Sequence, residues 1–317
     1  MREAGVEYSA RRVYSLNSLI LSNPIFSQNL EIVEMAEIYL CSTLMWNGSL
    51  EDMFSFIYRN GLDGMELWAQ HWFEKGYSIE EFERLSALYP VKVVVHSCSW
   101  DLNPSSLNEG IRKASVAQIQ KSIDLAAALQ ADEVTVHPGH ATILDEMDGY
   151  YERMHQSLKE ILQYAQKKKI AISLEIMEEL PKEYATSVSE MKKITQEMGN
   201  QFWYTLDIAH CEGEKEIFTA LEQERRFSKF HISNRQGKHL HVPLPDGDYD
   251  FMKLLPELEK YRIPFVVEGF DSSRDFLIAR KNIHFLKNYG GQHEEEVNCS
   301  NDGSNDGGNW GYRVRQQ

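Results

Sequence analysis

Six apolar runs along the chain each end on a residue able to bind a metal: VVVH to His96, VTVH to His137, ISLE to Glu175, YTLD to Asp207, KFH to His231 and FVVE to Glu268. Each is strand-sized and rich in β-branched or aromatic residues. The leading polar residues lie 41, 38, 32, 24 and 37 positions apart. That spacing suits a strand, a crossover helix and two loops. Closed into a ring, parallel strands of this kind bring their terminal side chains to one mouth. The pattern predicts a (β/α)8 TIM barrel with chemistry at the carboxyl ends of its strands.

Eight strand–helix units can be counted. Strands are expected over 38–44, 63–68, 90–96, 132–137, 169–175, 203–207, 227–233 and 264–268. The first helix opens at Ser49, a natural cap, with Leu50, Met53, Phe54 and Ile57 on one side and Asn60-Gly61 as its stop. Further helices are expected over 78–89, 108–129, 150–168, 187–198, 213–225, 251–261 and 272–289. Asn234 to Asp248 is a long polar loop for its position, and loops on this face of a barrel usually serve binding. Residues 1–35 do not fit the repeat and are expected to form an N-terminal extension, with a short helix from about Ser27 to Met35. The barrel is expected over 36–289. Beyond it, 290–317 has the Gly, Asn and Asp density of a flexible C-terminal tail.

Composition narrows the picture. Of 317 residues, 42% are hydrophobic, enough for a large core. The formal net charge is -15, which disfavours nucleic acid as a long-range partner without excluding a local basic or metal-filled groove. The four cysteines, Cys41, Cys98, Cys211 and Cys299, form no C-x-x-C pair, and a chain of this size does not need disulfides. Neither a membrane span nor a signal-peptide apolar block is evident near the start, so a cytoplasmic location is expected. No G-x-G-x-x-G run marks a nicotinamide cofactor.

The strand-end residues read as metal ligands because imidazoles and carboxylates suit zinc, manganese or iron, and a carboxylate can bridge two ions. Buried carboxylates such as Glu175 and Glu268 need a metal or a donor partner. Asp207 and His210, three apart, can reach one cavity if the chain turns after the strand. His239 and His241, two apart, would share a face in an extended loop. The expected metal set is Glu175, Asp207, His231, Glu268, His96, His137, His210, His239 and His241. Trp68 and His140 are candidate substrate contacts. Glu66 is expected in an internal salt bridge, and His71 on a helix or the surface.

In combination, H-P-G at His137, L-D-I-A-H ending at His210, F-H-I-S-N around His231, H-V-P-L-P-D-G from His241 and V-V-E at Glu268 resemble the xylose-isomerase-like barrel superfamily. The resemblance covers about 36–288. It implies one of two metal patterns. In epimerases of the tagatose 3-epimerase type, a single divalent ion is held at positions matching Glu175, Asp207, His231 and Glu268. There the residue matching His210 contacts substrate oxygen, and the two glutamates shuttle a proton. Endonuclease IV-like proteins hold three zinc ions and add positions matching His96, His137, His210 and an Asp-x-His pair. His239 stands here in place of that Asp, and L-D-I-A-H in place of L-D-T-C-H.

The resemblance therefore implies a metal-dependent isomerase or epimerase of a small sugar, sugar phosphate or related hydroxyketone, working through an enediolate. Catalysis would rest on Glu175, Glu268 and His210, with one to three ions of Zn2+ or Mn2+, or Fe2+. The alternative is an endonuclease IV-like multi-zinc phosphodiesterase. For the resembled epimerases, a homodimer through loops at the barrel mouth is the implied assembly.

Overall fold

The computed structural model describes residues 36–144 and 147–301. The expected extension over 1–35, its helix from Ser27, and the end of the tail lie outside the described residues.

Eight parallel strands close into a barrel: β1 (Ile38–Cys41), β2 (Gly64–Trp68), β3 (Lys92–His96), β4 (Glu133–Val136), β5 (Ala171–Ile176), β6 (Trp203–Asp207), β7 (Phe227–Ile232) and β10 (Phe265–Val267). They follow chain order around the ring, and β10 pairs with β1 to close it. A short antiparallel hairpin, β8 (Asn234–Gln236) and β9 (His239–Val242), stands in the long polar loop after β7.

The helices begin where the local chemistry directs. α1 (Leu50–Asn60) carries a capping box: Ser49 Oγ accepts from the Asp52 N–H, and the Asp52 carboxylate accepts from the Ser49 N–H. It stops at Gly61, whose φ of 70° a side chain would resist. α3 (Ile79–Leu88), α4 (Glu109–Ala128) and α6 (Val188–Ile194) are capped by Ser78, Asn108 and Ser187. A short helix not expected from the pattern, α2 (Ala69–Lys75), follows β2 directly. α5 (Met147–Lys168), α7 (Glu214–Gln223) and α8 (Phe251–Glu259) complete the outer layer with α9 (Leu277–Asn301), whose helical backbone runs through position 289 to Asn301. No helix among the described residues is long and apolar enough to cross a membrane.

Strand alternation separates two interiors. Leu40, Met65, Leu67, Val95, Val134, Val136, Ile172, Leu174, Leu206, Phe230, Ile232 and Val267 join the buried core between sheet and helices. The opposite parity lines the barrel lumen. Only Tyr39, Cys41, Trp68 and Val266, with Val94 beside them, form an apolar cluster there. Toward the carboxyl mouth that parity also carries buried polar residues: Glu66, His96, Thr135, Ser173, Glu175, Thr205, Asp207, Lys229, His231 and Glu268.

Candidate metal centre

The strand-end residues meet at the carboxyl mouth in three linked groups: His96–His137–Glu175, Glu175–Asp207–His231–Glu268 and Asp207–His210–His241. In each group one ligand-type atom per residue lies within 4.8 Å of every other. Glu175 belongs to the first two groups and Asp207 to the last two, so a carboxylate joins each group to the next. The register explains part of the convergence, since Asp207 pairs directly with His231 across β6 and β7.

Individual distances describe a cation-shaped arrangement. His231 Nδ1 lies 3.0 Å from Glu268 Oε2 and 3.6 Å from Glu175 Oε1. His137 Nε2 and His96 Nε2 approach Glu175 Oε2 at 3.1 and 3.4 Å. His210 Nε2 is 3.6 Å from Asp207 Oδ2, and His241 Nδ1 is 3.8 Å from the same oxygen. Asp207 Oδ2, His231 Nδ1 and Glu268 Oε2 are buried and make no well-directed hydrogen bond among the described residues. Buried lone pairs aimed at one another without donors are costly unless a cation sits among them. The donor set, carboxylate and imidazole, fits zinc, manganese or iron.

Among the protein groups themselves, opposite charges offset burial at most positions but not at Glu268. Burial pushes the Glu268 carboxyl up to about 7, although His231 pulls the other way. Burial would raise Glu175 too, but the charges of His231 and His137 more than offset it and hold Glu175 well below the usual carboxylate range. Asp207 is lowered likewise, by His210 and His241 against burial. His231 is raised well above an ordinary imidazole, its burial outweighed by Glu66, Glu268 and Glu175.

Eight of the nine candidate ligands fall in the three groups, and His239 does not. It is exposed on β9. Positions two apart share a face only in regular extended backbone. His241 instead has a φ of 57°, so the alternation breaks and only His241 reaches Asp207. His71, expected on a helix or the surface, lies on α2 and is fully buried, with Nε2 bonded to the Trp46 carbonyl and its ring stacked on Trp46 at 4.4 Å.

The two candidate substrate contacts differ. Trp68 pairs in register with His96 and stacks on its ring at 4.0 Å and 6°, so it walls one of the candidate ligands. His140 is half-buried on the loop after β4, its N–H donating to Asn103 Oδ1. Glu66, expected in an internal salt bridge, lies 3.0 Å from His231 Nε2, and Lys229 sits beside it. Lys229, not among the candidate residues, has a signal in the sequence. Thr135, Ser173, Thr205 and Lys229 each stand two positions before a site residue, so each shares its lumen-facing parity.

Comparisons with known proteins agree with this architecture. A family model described as a xylose isomerase-like TIM barrel matches residues 54–289. MJ1188, an uncharacterized protein of Methanocaldococcus jannaschii, is 28% identical over 232 residues, spanning 72% of this chain and 85% of the relative. Among solved structures, a D-tagatose 3-epimerase-like protein aligns with a TM-score of 0.70 at 23% identity, covering 82% of this chain and 99% of its own. The apo form of 3-keto-D-glucoside 4-epimerase, YcjR, from E. coli aligns with a TM-score of 0.67 at 18% identity, covering 81% and 99%. At these identities the structural likeness speaks to the fold.

Proposed function

The chain belongs to the xylose isomerase-like TIM-barrel family, and from that premise we propose that it is a divalent-metal-dependent isomerase or epimerase of a small sugar or related hydroxyketone. The observation that carries this reading is the quartet Glu175, Asp207, His231 and Glu268 at the lumen mouth. The epimerases among the similar solved structures support a sugar-like substrate.

These four residues would hold the principal ion. When bound, it supplies Lewis-acid polarisation of a carbonyl and its neighbouring hydroxyl. Glu175 and Glu268 come from strands three places apart around the ring, and both carboxylates approach His231 Nδ1. A substrate carbon between them exposes one face to each. One carboxylate takes the carbon-bound proton, leaving an enediolate, and the other returns a proton to the opposite face. His210, with Nδ1 bonded to the Ile176 carbonyl, has Nε2 directed toward the Asp207 and Glu178 carboxylates. From there it can donate to a developing substrate oxyanion. Trp68 and the exposed Trp100, 5.8 Å apart, wall the side next to His96.

One observation favours a second reading. The groups around His96–His137 and His210–His241 extend the quartet into sites for up to three ions, an arrangement suited to phosphodiester hydrolysis. One experiment separates the two. The metal-loaded protein is given a panel of ketoses and hydroxyketones in D2O, with abasic DNA assayed in parallel. The proposal expects deuterium at the carbon next to the carbonyl, lost in Glu175→Gln and Glu268→Gln. Metal-dependent cleavage of abasic DNA without sugar turnover would replace it with the hydrolase.

A further inference from the structure

The lumen below the mouth holds a charged ladder that metal binding alone does not explain. Glu66 on β2 is fully buried. Its Oε2 lies 3.0 Å from Nε2 of His231 on β7, a contact that crosses the lumen because β2 and β7 are not neighbours in the ring. Its Oε1 accepts from Thr135 Oγ1 at 2.6 Å and faces Lys229 Nζ at 3.9 Å. Lys229 is itself buried and pairs with Glu133 lower on β4. Thus Glu133, Lys229, Glu66 and His231 run in sequence up the lumen.

Burying such a chain is expensive. A carboxylate and an ammonium taken out of water recover little net stability even when paired, and apolar residues of similar volume are often as good or better. Tyr39, Cys41, Val94 and Val266 already supply an apolar lumen cluster on which such a filling could be built. The ladder is therefore poorly explained as filler. What it does geometrically is specific: it sets a buried carboxylate 3.0 Å from one nitrogen of His231, a close charged contact that, like the one at Nδ1, is not a well-directed hydrogen bond. With Nε2 against Glu66, Nδ1 is the nitrogen that faces Glu268 and Glu175. A metal-binding imidazole commonly gives its other N–H to a carboxylate, which sets tautomer, ring orientation and basicity.

We infer that Glu66 is a positioning residue for His231, fixing Nδ1 as the ligating nitrogen, and that Lys229 and Thr135 hold Glu66 in place. This rests on the metal site proposed above, but not on the reaction assigned to it.

The test uses the full chain loaded with Zn2+ and labelled with 15N-histidine. In the wild type, His231 should show a protonated Nε2 and a zinc-bound Nδ1. Glu66→Gln should weaken zinc binding by about 10- to 100-fold in chelator competition and shift the His231 Nε2–H resonance. Lys229→Met should move the same resonance in the same direction. Zinc bound through Nε2 in the wild type would overturn the inference even if no variant folds. So would a folded Glu66→Gln protein with unchanged affinity and His231 signals. Neither readout involves turnover. A protein that isomerises no sugar yet shows these shifts keeps the inference and discards the isomerase reading. Sugar turnover with zinc on Nε2 does the reverse.

Discussion

The two interiors of this barrel are built on opposite principles. Between sheet and helices the core is a continuous apolar cluster, with Phe54, Leu67, Ile172, Phe230, Leu255 and Leu258 among its residues. Inside the lumen, where barrels of this type usually stack Val, Ile and Leu in layers, buried carboxylates, imidazoles, hydroxyls and a lysine take their place. Apolar burial contributes stability without needing a ligand. Buried charges contribute little net stability and become favourable only with exact partners or a bound cation. The outer layer can therefore hold the fold while the lumen is left to gather charged groups. Each strand serves both, because its side chains alternate between them.

The largest expected effect tests the lumen's side of this division. Glu175→Gln or Asp207→Asn removes a carboxylate shared by two of the three groups. Either should lower divalent-metal affinity by at least about 100-fold while the circular dichroism spectrum stays that of the parent. Unchanged affinity in chelator competition would mean that the groups do not act as one centre.

The outer layer should respond in the opposite manner. Phe54 is fully buried on α1 and meets Phe82 edge-on at 5.4 Å. Phe54→Ala should cost about 3–5 kcal/mol of stability by denaturant unfolding. Metal affinity per folded molecule should stay within about twofold, because the perturbed contacts lie outside the sheet. A large fall in affinity would show that the interiors are mechanically coupled.

Glu268→Gln reverses the sign in the metal-free protein. Burial raises the folded Glu268 carboxyl to about 7 from its ordinary 4.5. The folded state thus holds that proton more tightly than the unfolded chain. Its stabilising contribution is complete below the unfolded value and disappears as pH climbs through about 7. At pH 8 the amide should accordingly make the metal-free protein more stable, by roughly 1–3 kcal/mol, with little difference near pH 4. Thermal unfolding at both pH values after metal removal provides the measurement; a variant less stable at pH 8 would contradict it.

The smallest effect separates two histidines of one hairpin. His241→Ala should weaken the Asp207–His210 group by about tenfold, and His239→Ala should change it less than twofold. Equal losses in a metal titration would show that His239 turns inward when the ion binds.

Much of this molecule was legible without coordinates. The recurring polar residue at the end of six apolar runs marked six of the eight barrel strands and their carboxyl ends. Ser49, Ser78, Asn108 and Ser187 announced helix starts because capping is chemistry within a few residues. Strand alternation even encoded the polar lumen, in the residue two before each of His137, Glu175, Asp207 and His231. Tertiary structure decided what depends on groups distant in sequence or on one backbone angle. The left-handed conformation of His241 selected it over His239, against the period-two rule. Ring closure brought Glu66 across the lumen to His231, 165 positions away in the chain. Side-chain alternation is a local property that a sequence carries in its own order. Which inward-facing groups meet is set by the curvature and register of the closed sheet.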